Sequence, residues 1–120
     1  MKILFAEDDE FIAKLVLFKL SKEGHEVTHV ADGAQAEKKF HEPDWNLFIF
    51  DVMMPHQDGW SLLKKIKAID TQKNKPVIML TAKAHPDDFE RAMSLKADYY
   101  LRKPFNPEEL ANLIREIGSK

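Results

Sequence analysis

Apolar positions along the chain alternate between short unbroken runs and longer stretches with helical spacing. Residues 2–6 form an apolar run that ends in Glu7-Asp8-Asp9. From Glu10 the period changes, with Phe11, Ile12, Leu15, Val16 and Leu20 recurring at three- and four-residue steps as in a helix. Gly24 stands where a helix ends on glycine, and residues 25–30 alternate toward a second strand before the Asp32-Gly33 turn. Ala36 and Phe40 support a weaker helix that stops before Pro43. The run Leu47-Phe48-Ile49-Phe50 then leads straight into Asp51, and a loop through Gly59 follows. A third helix turns Leu62, Leu63, Ile66 and Ile69 inward, and Lys73-Asn74-Lys75 is a polar connector. Pro76 opens a fourth strand over 77–80 that Thr81 ends. Pro86-Asp87-Asp88 starts a helix whose apolar face (Phe89, Ala92, Met93) is thin, so it is expected to move most easily. A fifth strand covers 98–101, and Leu110, Leu113, Ile114 and Ile117 stripe the last helix. Runs that are apolar at every position suit strands buried on both faces. Strict strand–helix alternation predicts an α/β fold, with a five-stranded parallel sheet and helices on both sides.

Composition narrows the function classes. At 120 residues the chain is expected to be one domain over 1–120, with only Gly118-Ser119-Lys120 after the last helix and no attached output domain. With 44% hydrophobic and 32% charged residues it reads as globular, and no apolar run nears the ~20 residues of a membrane span. There is no cysteine, which excludes disulfides and thiolate metal sites and fits a reducing cytoplasm. A net charge of −2 gives no electrostatic reason to expect direct nucleic-acid binding.

In a parallel sheet all carboxyl ends share one edge, where open α/β sheets bind ligands. That edge collects Glu7 and Asp8 from the first strand, Asp51 from the third, Thr81 from the fourth and Lys103 from the fifth. Packed carboxylates raise one another's pKa unless a cation intervenes. An oxygen-only site with room for water suits Mg²⁺. A carboxylate beside such an ion can act as nucleophile toward a phosphoryl group, and Asp51 is the central one. Taken singly, these residues have blander readings: Glu7 and Asp8 could be solvated or cap the first helix, as Asp9 and Glu10 are read to do, Thr81 is a turn residue, Tyr100 a core aromatic, Lys103 a surface lysine. Five such coincidences at one edge are the less economical account. The five histidines are scattered without metal spacing. Trp60, Met53, Met54 and Met79 read as packing, and Lys64, Lys65 and Lys67 as the wet face of their helix.

These residues resemble the receiver (response-regulator) domain of two-component signalling. The likeness rests on Ile3-Leu4-Phe5-Ala6-Glu7-Asp8-Asp9, on Asp51-Val52-Met53-Met54-Pro55-His56-Gln57-Asp58-Gly59, on Leu80-Thr81-Ala82 and on Lys103-Pro104-Phe105. It implies a flavodoxin-like, doubly wound (βα)5 fold with strand order 2-1-3-4-5. It also implies Asp51 as phosphoacceptor from a histidine kinase or phosphotransfer protein. Mg²⁺ would be held by Asp8 directly, by Glu7 through water or by its hold on Asp8, by Asp51 and by the Met53 backbone carbonyl. Thr81 would bond the phosphoryl oxygen and Lys103 pair with it. Tyr100 would turn inward as Thr81 moves, and Lys103-Pro104 would be cis. Small Ala82 would leave the phosphoryl group accessible. The output surface would be the face made by the fourth helix, fifth strand and last helix, meeting a downstream effector protein.

The chain departs from the family pattern in places. Gln57 replaces the usual Met or Leu, and Lys83 and Met53 occupy the positions that tune phosphoryl hydrolysis. Winged-helix transcription factors of this family dimerise through an acid beside Asp98 and an arginine in the last helix; Tyr99 and Leu113 stand there instead. An unphosphorylated monomer is therefore expected. Two other readings compete: a degenerate receiver serving as a constitutive interaction module, and an aspartyl-phosphate phosphatase. The first should have lost acids, acceptor or lysine, all present here. The second needs an acid two residues after the nucleophile, where Met53 stands.

Overall fold

The structure is a computed structural model, described over residues 1–54, 57–81 and 97–119. In chain order the elements are β1 (Lys2–Ala6), α1 (Glu10–Lys22), β2 (Glu26–Val30), α2 (Gly33–Lys38), β3 (Leu47–Asp51), α3 (Gly59–Lys67), β4 (Val77–Thr81), β5 (Tyr99–Arg102) and α4 (Pro107–Gly118). The helix expected from Pro86, with Phe89, Ala92 and Met93, lies outside the described residues. So do Pro55, His56, Ala82, Lys83 and His85.

The sheet is parallel throughout, in the order β2-β1-β3-β4-β5. Alternate residues of each central strand enter different cores. Leu4, Ala6, Phe48, Phe50, Val77 and Met79 pack with Leu62, Leu63 and Ile66 on one face. Ile3, Phe5, Leu47, Ile49, Ile78 and Leu80 pack with Val16, Leu20, Leu110 and Ile114 on the other. Covering both faces is what makes these strands apolar at every position. Each fully buried Phe, Leu or Ile contributes about 1.5–3 kcal/mol, so the sheet is a rigid mount for whatever its edge carries.

Local signals set the helix ends. Asp9 caps α1 by accepting from the amides of Phe11 and Ile12. Asp58 caps α3 through Ser61, and Asn106 and Glu109 form a reciprocal capping box on α4. Gly24 takes φ +87°, a backbone that side chains rarely tolerate.

The structure corrects several expectations. In α1 it buries Ala13, Val16 and Leu20, whereas Phe11 and Leu15 are 71% and 42% exposed, as is Phe18 at 65%. Two overlapping rows of apolar residues run along this helix, and periodicity cannot choose which one meets the sheet. Met53 is 70% exposed rather than packed. Lys67 is not on a wet face: its side chain is 15% exposed, and Nζ reaches Asp98 at 2.9 Å and the carbonyls of Lys73 and Lys75. Asp98 also accepts from the Val77 amide at 2.9 Å, so this pair ties the starts of β4 and β5 to α3. Beside the polar connector, Gln72 is buried and donates to the carbonyls of Phe40 and Glu42. Trp45, unmarked by any periodicity, fills one core and donates its indole N–H to the Lys39 carbonyl.

Candidate functional site

Strand register assembles the site. Ala6 pairs with Phe50, so Glu7 and Asp51 follow side by side. Asp51 pairs with Leu80, which places Thr81 one step beyond it. Thr81 pairs with Arg102, and the Lys103 amide donates to the Thr81 carbonyl at 2.6 Å. Four strands thus deliver Glu7, Asp8, Asp51, Thr81 and Lys103 to one edge. The Lys103–Pro104 peptide is cis.

Glu7, Asp51 and Thr81 are buried, while Asp8 is exposed at the rim. Carboxylate oxygens of Glu7, Asp8 and Asp51 all lie within 4.8 Å of one another. Lys103 Nζ stands 2.7 Å from Glu7 Oε1 and 3.1 Å from Asp51 Oδ2, with its side chain 14% exposed. Glu7 Oε2 accepts from the Asp9 amide at 3.3 Å, and the Met53 amide donates to Asp51 Oδ1 at 3.4 Å. Burial, aided by a hydrogen bond to Asp51, pushes the Glu7 carboxyl up to about 8, against the pull of Lys103. Burial also works against the Lys103 charge, but the two carboxylates more than offset it and hold the ammonium above the ordinary lysine range. Without a further cation, the cluster keeps a proton that an exposed glutamate would have shed.

Thr81 Oγ1 donates to the Tyr100 hydroxyl at 3.0 Å, and the half-buried Tyr100 ring packs against the core. The aromatic and the hydroxyl named by the resemblance are therefore already in contact. Gly59 is required where it stands, because a Cβ there would meet the Asp51 carbonyl closer than any real contact. The glycine lets α3 begin directly against the Asp51 backbone. His29, which no sequence signal singled out, lies with Nε2 2.7 Å from the Glu7 carbonyl and braces the end of β1. Trp60 is buried in the first turn of α3.

Residues 3–115 match the sequence profile of the response regulator receiver domain. This chain belongs to the response-regulator receiver family. The receiver is 37% identical over 117 residues to the uncharacterized transcriptional regulatory protein YclJ of Bacillus subtilis, covering 98% of this chain and 50% of that protein. It is 38% identical over 115 residues to the transcriptional regulatory protein GltR of Pseudomonas aeruginosa, covering 96% and 48%. The receiver thus spans about half the length of the curated relatives it matches. Among solved structures, the chemotaxis response regulator CheY4 of Vibrio cholerae superposes with a TM-score of 0.90 at 31% identity, covering 97% of each chain. The receiver domain of a sensor histidine kinase from P. aeruginosa PAO1 superposes at 0.87 with 31% identity, covering 96% of this chain and 94% of that one; its structure has a magnesium ion coordinated in the active-site cleft. The flavodoxin-like fold and strand order expected from the sequence are those observed. Among the described residues no helix is long and apolar enough to cross a membrane.

Proposed function

We propose that this receiver accepts a phosphoryl group on Asp51 from a phosphohistidine of a histidine kinase or phosphotransfer protein in the cytoplasm, and signals the change to a partner protein. The observation that carries this reading is the cluster of Glu7, Asp8, Asp51 and Lys103, acids and cation converging on one strand-end carboxylate. In the transfer, an Asp51 carboxylate oxygen attacks phosphorus and the P–N bond to the donor imidazole breaks. The electron pair returns to the ring nitrogen, which takes up a proton, and Asp51 becomes an acyl phosphate. Rigid β3 holds the carboxylate for in-line approach. Lys103, already between Glu7 and Asp51, pairs with the incoming phosphoryl oxygens, and the Thr81 hydroxyl donates to one of them.

The donor set fits Mg²⁺: three carboxylates, oxygen only, opening to water at exposed Asp8. Glu7, Asp8, Asp51 and the Met53 backbone carbonyl would hold the ion, which when bound neutralises charge on the transferring group. Glu7 would give up its retained proton to do so.

The phosphoryl group adds nearly two negative charges and strong acceptors, drawing the Thr81 hydroxyl and Lys103 toward it. Tyr100, bonded to Thr81, passes that shift to β5, and the face of the helix expected from Pro86, β5 and α4 meets the effector. An apolar groove of about 190 Å³ lined by Phe11, Leu15, Lys103, Pro104 and Phe105 borders the site and suits a donor protein's surface. The chemistry is stoichiometric, followed by slow self-hydrolysis, without turnover on external substrates.

Incubation with Mg²⁺ and acetyl phosphate, followed by intact-mass measurement, tests the proposal. One added phosphoryl group is expected, and none on Asp51→Ala. A wild-type chain that gains no mass, or a gain that survives Asp51→Ala, overturns it. A silent Mg²⁺ titration of Trp60 fluorescence would favour the constitutive interaction module instead.

A further inference from the structure

Between Asp51 and α3 the chain must turn away from the sheet, and the described parts of that turn are held at both ends. Near the site, the Val52 amide bonds the Leu80 carbonyl at 2.9 Å and the Gly59 amide bonds the Val52 carbonyl at 2.8 Å. At the far end stands Gln57, the departure from the family's Met or Leu. Its backbone lies so close to Gly33 that a Cβ on Gly33 would collide with it. Its side-chain amide donates to Glu37 Oε2 at 2.8 Å, one helical turn beyond Gly33 on α2. The Gln57 amide oxygen accepts from Ser61 Oγ at 3.0 Å. Lys65 Nζ then meets both Glu37 oxygens at 3.2 Å. Gln57, just before α3, and Lys65 on the helix thus both reach a single carboxylate of α2, with Ser61 bonded to Gln57 between them. The Gln57 and Lys65 hydrogen bonds hold the Glu37 carboxyl below the usual glutamate range.

We propose that Gln57, fastened to Glu37, is a positioning residue that fixes the segment after Asp51 and thereby sets how tightly the acidic site takes a divalent cation. An apolar residue at 57 could pack between the helices but could not fix direction, because dispersion contacts lack the angular preference of a hydrogen bond. The polar pair holds the backbone in one place relative to α2. Met53 shares that segment, and its amide already bonds Asp51. Gln57 lies two residues before Gly59, whose amide bonds the Val52 carbonyl beside Asp51 and Met53, so freedom at residue 57 reaches the Asp51 carboxylate and the Met53 carbonyl through backbone position rather than through charge. This rests on the reading of Glu7, Asp8 and Asp51 as the cation site.

The test is Mg²⁺ titration of the full chain, followed by Trp60 fluorescence, in parent, Gln57→Ala, Glu37→Ala, the double variant and Glu37→Gln. Trp45 lies at the opposite end of β3 and supplies a constant background. Both single alanine variants should raise the Mg²⁺ dissociation constant about three- to tenfold, below the range for supports that bond a ligand directly. The double variant should be no weaker than either single one, since both cut the same contact. Glu37→Gln keeps an acceptor for Gln57 and should restore parental affinity, which loss of a merely structural charge would not permit. Alanine variants that lower the melting temperature but leave the Mg²⁺ constant within twofold of parent would overturn the proposal, as would a Glu37→Gln variant as weak as Glu37→Ala. A parent chain that shows no Mg²⁺ response would instead overturn the cation site itself.

Discussion

Replacing Lys103 by methionine keeps an unbranched chain one atom shorter and removes its charge. Lys103 Nζ lies 2.7 Å from Glu7 and 3.1 Å from Asp51, whose side chains are 0% and 4% exposed. Glu7 keeps its proton at neutral pH, since burial raises it to about 8, so the ammonium balances about one negative charge. At an effective dielectric near 20 and ~3 Å separation, the attraction is about 5 kcal/mol. Breaking a buried pair on one side costs about 3–5 kcal/mol in practice. The 14% exposure of Lys103 moves the expectation to the low end, about 3 kcal/mol. At roughly 4 °C per kcal/mol for a domain of this size, thermal unfolding in chelator should shift down by about 12 °C. Saturating Mg²⁺ supplies the missing positive charge and binds a site with no competing ammonium. The deficit should then fall below about 1 kcal/mol, because a ligand stabilises by its free concentration relative to its dissociation constant. Circular dichroism melts of both proteins, with chelator and with Mg²⁺, measure the four quantities needed. Equal Mg²⁺ stabilisation in both proteins would refute the idea that ammonium and metal answer the same charge. So would a variant as stable as the parent in chelator.

The other predictions address pH, a structural latch and the α1 surface. Glu7 is raised from 4.5 to about 8 in the fold, so the folded metal-free chain holds a proton that the unfolded chain has lost. Its contribution is fully present below pH 4.5 and is lost as pH rises through about 8; urea unfolding in chelator should show that downward slope, and Mg²⁺ affinity should rise over the same window. A flat Mg²⁺ constant from pH 6 to 8 would contradict this. Asp98→Ala removes the acceptor of the Val77 amide and the partner of Lys67, and should lower stability by about 1–2 kcal/mol in urea unfolding; a change under ~0.5 kcal/mol would show the latch to be slack. Leu20→Ala, at a site 1% exposed, should cost about 2–4 kcal/mol. Phe18→Ala, at 65% exposure, should cost less than about 1 kcal/mol, and the reverse order would mean that α1 sits on the sheet by its other row.

The sequence by itself determined the sheet and its functional edge. Runs such as Leu47-Phe48-Ile49-Phe50 are apolar throughout only because both faces are covered, and three of them, with two less apolar strands, alternating with helical stretches admit few parallel topologies. A parallel sheet brings its strand ends together, so the convergence of Glu7, Asp8, Asp51, Thr81 and Lys103 followed from strand order without coordinates. The cap at Asp9 was equally legible, since it acts within three residues of its own position. What the tertiary structure decided were relations between segments that local pattern does not encode. Which row of α1 faces the sheet depends on how that helix is rotated against β1 and α4, so Phe11 and Leu15 read as part of the apolar face and proved exposed. Lys67 read as solvated, yet the carbonyls and the carboxylate that hold it come from residues 73, 75 and 98. The protonation of Glu7 is a matter of burial and of neighbours at residues 51 and 103. Gln57 read only as a departure in the loop after Asp51, and its meaning waited on Glu37, twenty positions earlier in the chain. A strand reports its burial in its own residues; an ion pair or a helix rotation is a property of two segments, and only their packing fixes it.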